Sequence, residues 1–311
     1  MRKMVIAFLA LGVFAASAAF AGNLVNEGFT YINGNLVPNN PGAPALGPWA
    51  NYSGAGDILI ASNYATGIMN TAARAADDAL PFTAQTALVP TYACFDAFIP
   101  CFGATAPLPS YFAGLKDAGT SNLLARVYVV ALGTTGGWTF AVSHYSTSAT
   151  VGVRPWSATS LACDTWYRIV IKYDPVVKSS TMWVNPVNEF SASVMDSNSA
   201  APATAVSTFF LRQGAASTIP PGNAGTTIWN WRTDNLGVGT SFAEACYVPP
   251  PPTTGACCLR TTPGACVVVT PAECNLQNGV FLGLGVPCVG IDCQVVPATK
   301  TSWGQLKTIY R

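Results

Sequence analysis

Asp164-Thr165-Trp166-Tyr167-Arg168-Ile169-Val170-Ile171-Lys172-Tyr173-Asp174 carries the clearest two-residue alternation of the chain. Taken alternately, Tyr167, Ile169, Ile171 and Tyr173 fall on one side, and Trp166, Arg168, Val170 and Lys172 on the other. A period of two with one apolar side predicts a β-strand that packs one face on a core and turns the other to water. Asp164 and Asp174-Pro175 punctuate its ends, since Asp and Pro favour turns over ladder positions. After a polar turn at Lys178-Ser179-Ser180, a second strand is expected at Thr181–Asn185 around Trp183. The two read as a hairpin within a larger all-β domain.

The pattern recurs on both sides of this hairpin. Strand-length apolar segments lie at Ile58–Ala61, Tyr92–Phe98, Leu123–Leu132, Trp138–Ser143, Thr150–Val153, Val206–Arg212, Thr227–Trp231 and Asn235–Val238, between clusters of Gly, Pro, Asn and Ser. Gly133–Gly137 reads as a hairpin connection, because its glycines take positive φ without strain. No long helical periodicity and no fixed repeat interrupts the series. Many short strands with turn signals predict a two-sheet antiparallel sandwich or barrel.

The chain's ends have other jobs. Arg2 and Lys3, the apolar run Met4–Phe14 and Ala19-Phe20-Ala21 form a signal-peptide pattern over residues 1–21, and the run is short for a membrane span. Removing it takes two of the fifteen basic residues, leaving thirteen against fourteen acidic ones. Only 9% of the chain is charged. That composition lacks the basic patch that nucleic acid requires. The protein is therefore expected to be secreted, extracellular or at the cell surface, with no transmembrane segment after cleavage. One domain of sandwich size fills 22–246. Tyr247-Val248-Pro249-Pro250-Pro251-Pro252-Thr253-Thr254 then reads as a stiff extended linker, 247–254.

Beyond the linker, Cys257, Cys258, Cys266, Cys274, Cys288 and Cys293 crowd a module at 255–293. Such a short, glycine-rich segment buries too little to fold by its core alone, so these cysteines are expected to form disulfides. A zinc site is disfavoured because the module has no His and no Cys-x-x-Cys. Six cysteines allow fifteen pairings, which sequence does not resolve. In the larger domain, Cys94 and Cys101 are close enough in sequence to close a small loop, and Cys163 is matched with Cys246. The tail, 294–311, includes a candidate short helix with Ser302 as N-cap and Trp303, Leu306 and Ile309 on one face.

The hairpin 164–174 with Met182-Trp183-Val184-Asn185 resembles that of LamG-like and concanavalin A-like jelly rolls of secreted bacterial proteins. Thr233-Asp234-Asn235-Leu236-Gly237-Val238-Gly239, followed by Ser241-Phe242, is similar to that superfamily's closing strand. Asn26-Glu27-Gly28-Phe29 with Gly34-Asn35-Leu36-Val37 resembles its opening. The resemblance covers roughly 23–245. It implies two stacked antiparallel sheets, a curved face usable as a groove, and first and last strands lying side by side. The cysteine module resembles small modules near the ends of other secreted bacterial proteins.

Catalysis has little to work with. A glycosidase needs two carboxylates about 5–10 Å apart across the sugar. The Glu-x-Asp-x-(x)-Glu pattern that jelly-roll hydrolases place on one strand is absent, and Asp77-Asp78 as strand neighbours face opposite ways. Glu189 with Asp196 is a pair that nothing marks. His144 is the only histidine, and no Gly-x-Ser-x-Gly accompanies it. The expectation is a non-catalytic module. Calcium is considered at strand-end carboxylates, with Asp57 and Asp234 as the candidates and Asp164 and Asp174 nearby in type. No other cofactor is implied.

Carbohydrate binding is the leading expectation, because sugars stack their C–H faces on aromatic rings while polar groups fix orientation. Trp166, Arg168, Trp229 and Trp231 are the candidate ligand-binding residues. The partner would be an extracellular glycan or a cell-envelope protein. The competing expectation is a structural or adhesive extracellular protein without glycan binding. A glycoside hydrolase on the same fold comes third.

Overall fold

A computed structural model describes residues 22–69, 75–102, 110–119, 122–133, 136–145, 153–214, 228–246, 255–260, 262, 264–283, 286, 288–289, 291 and 293. The signal-peptide stretch, the proline-rich linker, the tail and most of Thr150–Val153 lie outside these residues. The chain divides into two compact units at Tyr247/Val248.

In chain order the first unit comprises β1 (Asn23–Glu27), β2 (Gly34–Asn35), β3 (Ala50–Ala55), β4 (Leu59–Ala61), β5 (Tyr64–Met69), β6 (Ala75–Gln85), β7 (Thr91–Ile99) and β8 (Ser110–Lys116). It continues with β9 (Leu123–Ala131), β10 (Trp138–Tyr145), β11 (Arg154–Pro155), β12 (Thr165–Asp174), β13 (Ser179–Val184), β14 (Val194–Ser197), β15 (Val206–Gln213), β16 (Trp229–Gly239) and α1 (Phe242–Ala245). Two antiparallel sheets result. Among the described residues a nine-stranded sheet runs β14-β13-β12-β7-β16-β5-β4-β2, with β1 also on β16, and a seven-stranded sheet runs β11-β10-β9-β8-β15-β6-β3. The unit is a jelly-roll sandwich. β1 and β16 lie side by side, with Val25 opposite Val238.

The strand at 165–174 alternates as its sequence demands. Tyr167, Ile169, Ile171 and Tyr173 enter the core between the sheets, where Phe95, Phe112, Phe140 and Phe209 meet them. The hairpin turn differs from expectation. It occupies Pro175–Lys178, and Ser179 and Ser180 already pair with Asp174 and Tyr173. Asp174 Oδ1 accepts from the amides of Val176 and Val177 at 3.1 and 3.0 Å, and Lys178 takes φ 56°. The acid therefore builds the turn, and the serines are free to extend the ladder.

Other segments escaped sequence reading. The described part of the segment expected at Thr227–Trp231 joins Asn235–Val238 in one strand, β16, which begins at Trp229 and has a register irregularity between Asp234 and Gly237. β6 was hidden by Asp77-Asp78 and Pro81. Pro81 lies where β6 has run past the end of β3, whose pairing stops at Ala50–Ala79, so the missing N–H is tolerated as at a sheet edge.

The sandwich cysteines pair as Cys94–Cys246 and Cys101–Cys163, with Cα–Cα distances of 5.2 and 4.8 Å. This overturns the expected Cys94–Cys101 and Cys163–Cys246 pairs. Cys94 lies inside β7, and seven extended residues span about 20 Å, far beyond a disulfide's reach. Strand pairing supplies the true partners instead. Thr165 sits opposite Ile99, which brings Cys163 beside Cys101. Cys94 points from the outer face of β7 toward Cys246, at the end of α1, where Tyr92, Val170, Trp183 and Phe242 form a small cluster.

The second unit contains β17 (Gly255–Leu259), β18 (Cys266–Val269), α2 (Pro271–Leu276) and β19 (Gly279–Phe281). They form a three-stranded sheet in the order β18-β17-β19. Thr270 caps α2 through a reciprocal box with Glu273, and Pro271 occupies the first turn. Cys257–Cys274, Cys258–Cys293 and Cys266–Cys288 staple the module.

Candidate functional site

The outer face of the nine-stranded sheet is covered at one end by α1 and open at the other. Alternation on β7 sends Tyr92, Cys94, Asp96 and Phe98 outward. On β12 it sends out Trp166, Arg168, Val170 and Lys172, and on β16 Asn230, Arg232 and Asp234. At the open end Trp166 and Arg232 both lie opposite Phe98 in the ladder. Trp166 is 42% exposed. Its ring centroid is 5.3 Å from that of Phe98 and 6.2 Å from that of Tyr64 on β5. The Arg232 guanidinium covers Phe98 at 4.8 Å and Tyr64 at 5.0 Å.

A polar row borders these rings. Arg168 donates from Nε and Nη2 to the two carboxylate oxygens of Asp96, a bidentate pair. Asn235 Nδ2 donates to Asp96 Oδ2 at 2.8 Å. The Arg168 backbone amide is held by Asn185 Oδ1 at 2.8 Å. Arg168 is thus fixed at the rim of the aromatic cluster, with its fork engaged.

The outer face of the seven-stranded sheet has another character. Tyr111 (β8), Tyr128 (β9), Val130 and Phe210 (β15) form a cluster there, with Tyr52 (β3) packed on it. The Arg212 and Arg126 guanidinium groups lie over the Tyr111 ring at 4.2 and 5.1 Å. Lys116 Nζ lies 4.7 Å above Tyr52. Arg212 pairs with Asp77 at 3.5 Å, and Arg126 Nε donates to Ser143 Oγ at 3.2 Å. Burial pushes the Asp77 carboxyl up, and Arg212 counters it. Burial likewise lowers the Lys116 ammonium.

No protein-family model matches the chain, and no curated protein matches it. Solved structures similar to it include an alginate lyase, Aly36B, at 11% identity and TM-score 0.47, covering 71% of this chain and 97% of that one. A sialidase matches at 10% identity and TM-score 0.44 over 70% of this chain, which spans 19% of the sialidase's length. Peanut lectin matches at 10% identity and TM-score 0.31, over 66% of this chain and 97% of the lectin. The activities in those names belong to those proteins, and similarity this weak carries no argument about function here.

Of the four sequence candidates, the structure brings Trp166 and Arg168 to one open surface and removes the other two. Trp229 and Trp231 are 3% and 0% exposed. They do share a face, but it is the inner one. Trp231 packs its indole over Gly67 and donates Nε1 to the Arg212 carbonyl at 3.0 Å, while Trp229 meets Phe102 and Phe112. The outward positions of β16 belong to Asn230 and Arg232. Phe98, Tyr64 and Arg232 went unread because only pairing across β12, β7, β16 and β5 assembles them.

The carboxylates are dispersed. Asp77 faces out and Asp78 in, as strand parity requires. Glu189 accepts from the Tyr92 hydroxyl at 2.6 Å, whereas Asp196 accepts from the His144 amide at 2.8 Å and pairs with Arg154 at 3.4 Å. His144 is buried, stacks on Tyr173 at 5.4 Å and contacts Ser180 Oγ through Nδ1 at 3.0 Å. Asp57 Oδ2 accepts from Asn35 Nδ2 at 2.7 Å, and Asp234 Oδ1 from the Asn235 amide at 2.7 Å. Among the described residues the one metal-type triple is Cys101, Cys163 and Asp164, and its two sulfurs are joined in a disulfide. Asp57 and Asp234 form no such group.

Proposed function

We propose that the sandwich is a non-catalytic, LamG-like carbohydrate-binding module of a secreted bacterial protein, and that it holds a glycan on the aromatic surface around Trp166. The observation that carries this reading is the exposed Trp166 ring, seated against Phe98 and Tyr64 with Arg232 alongside. An open aromatic face offers the apolar area on which a pyranose stacks its C–H surface. Arg168, Asn235 and Asn185 supply polar groups at the rim. The five disulfides support an oxidising, extracellular setting. No described helix is long and apolar enough to cross a membrane. The dispersed carboxylates support binding over hydrolysis.

A glycan array followed by titration calorimetry tests this. A saturable glycan is expected, and Trp166→Ala weakens it about tenfold or more, roughly 1.4 kcal/mol, with the melting temperature little changed. The adhesive reading has its own support in Val187 and Phe190, 90% and 97% exposed on the β13–β14 connection, since such residues suit a protein contact. Absence of glycan binding across the array, with self-association lost in Phe190→Ser, would favour that second reading.

A further inference from the structure

We infer that the outer face of the seven-stranded sheet is a separate binding site for a carboxylate-bearing saccharide, recognised by Arg126 and Arg212 on either side of Tyr111. A guanidinium stays ionised in any protein setting, so burial cannot neutralise it. Arg126 is only 8% exposed, and a buried cation is costly unless paired. Its contacts are the Ser143 hydroxyl and the rings of Tyr111 and Tyr128. Cation–π contacts of this kind contribute about 0.5–2 kcal/mol each and leave the charge uncompensated.

No described carboxylate forms an ion pair with it: Glu189, Asp234 and Glu244 accept from the Tyr92 hydroxyl, the Asn235 amide and the Thr240 hydroxyl, and Asp164 lies beside the Cys101–Cys163 disulfide. Asp77 pairs with Arg212, Asp96 with Arg168, Asp174 with Lys172 and Asp196 with Arg154. Glu27, Asp57, Asp78 and Asp117 accept hydrogen bonds from Phe29 and Tyr31, Asn35, Ile58, and Asn122 respectively. Residues 70–74, 103–109, 120–121, 134–135, 146–152 and 215–227, outside the described residues, contain no Asp or Glu at all. The positive charge on this face is therefore built in, and it calls for an anion from outside the sandwich.

The surroundings say which kind. Arg126 and Arg212 share one tyrosine ring, and a guanidinium fork matches a planar carboxylate with two parallel hydrogen bonds. The neighbouring polar groups suit hydroxyls. Thr139, outward on β10 and fully buried, and the Tyr52 hydroxyl both lack a hydrogen-bond partner, and a buried unsatisfied hydroxyl is destabilising. Tyr52, Asp77 and Arg212 are the partly exposed members of this face. A uronic acid sugar brings a carboxylate, hydroxyls and C–H faces together. This site shares no residue with the Trp166 surface and does not depend on it.

The test titrates the whole mature protein with short oligomers of galacturonic, glucuronic and mannuronic acid, with the neutral hexose oligomers and a sulfated oligosaccharide as comparisons. One acidic oligomer is expected to bind saturably, with affinity falling as salt rises. Arg126→Gln should weaken it at least tenfold and Arg126→Lys by an intermediate factor, while Trp166→Ala leaves it unchanged. In thermal melts without ligand, Arg126→Gln should raise the midpoint, since it removes an uncompensated cation, and the oligomer should stabilise the wild type more than Arg126→Lys and Arg126→Lys more than Arg126→Gln. Equal binding of neutral oligomers, tighter binding of the sulfated one, no effect of Arg126→Gln, or loss of binding in Trp166→Ala would each overturn the assignment.

Discussion

Asp77 and Asp78 are adjacent in sequence and opposite in environment, because a strand sends successive side chains to opposite faces. Asp77 meets Arg212 outside. Asp78 is fully buried, and burial pushes its carboxyl up to about 6, against the Ile58 amide and the Asn51 side chain, which favour the anion. A folded-state value above the unfolded 3.8 means that its stabilising contribution is complete below about pH 4 and is lost as pH rises through about 6. Asp78→Asn should gain on the wild type by about 2–3 kcal/mol between pH 4 and 8, measured by urea unfolding. A pH-independent difference would refute burial as the cause. His144 carries the opposite sign. Burial lowers its imidazole below the usual 6.5, with Asp196 and Asp174 pulling the other way. The stability it contributes is present above that value and is lost as pH falls below it. His144→Gln should flatten the acid side of the same profile, and an unchanged acid limb would count against a neutral, buried ring.

At the scale of elements, β16 shows how one contact decides a face. A Cβ at Gly67 would enter the Trp231 indole, so β5 can lie under this tryptophan only without a side chain there. Gly67→Val should cost several kcal/mol or block folding, since overpacking a rigid core typically costs 1–3 kcal/mol per modest insertion. A thermal shift of only a degree or two would show that Trp231 has room to move. The Cys94–Cys246 bridge closes 152 residues of sequence. Cys94→Ala/Cys246→Ala should therefore lose about 4–5 kcal/mol in chain-entropy terms, read as a lower denaturation midpoint. Among the strands, β12 was legible because its two faces differ in polarity without a break. β8 was not, because all seven of its residues are buried, so no polar positions mark an alternation.

For the whole molecule, none of the five disulfides crosses the division at Tyr247/Val248. The sandwich owns a core of aromatic and aliphatic side chains, whereas the second unit has three short strands, a six-residue helix and three bridges. Reduction should therefore unfold the second unit first and leave the sandwich folded with a lowered midpoint, followed by hydrogen exchange. Simultaneous loss of both would contradict this division of labour between core and staples.

The all-β class, the inward and outward sides of β12 and the change of composition after Tyr247 can be read from the sequence alone. Those are local properties, fixed by parity, composition and spacing. Tertiary structure decided the disulfide pairs, the burial of Trp229 and Trp231, and the company that Trp166 and Arg126 keep. Each of those depends on which strands become neighbours across a sheet, and on residues far apart in the chain. Trp166 shows the boundary between the two. Its strand and face were legible from eleven residues, but the rings of Phe98 and Tyr64 that make it a surface arrive only through pairing across β7, β16 and β5.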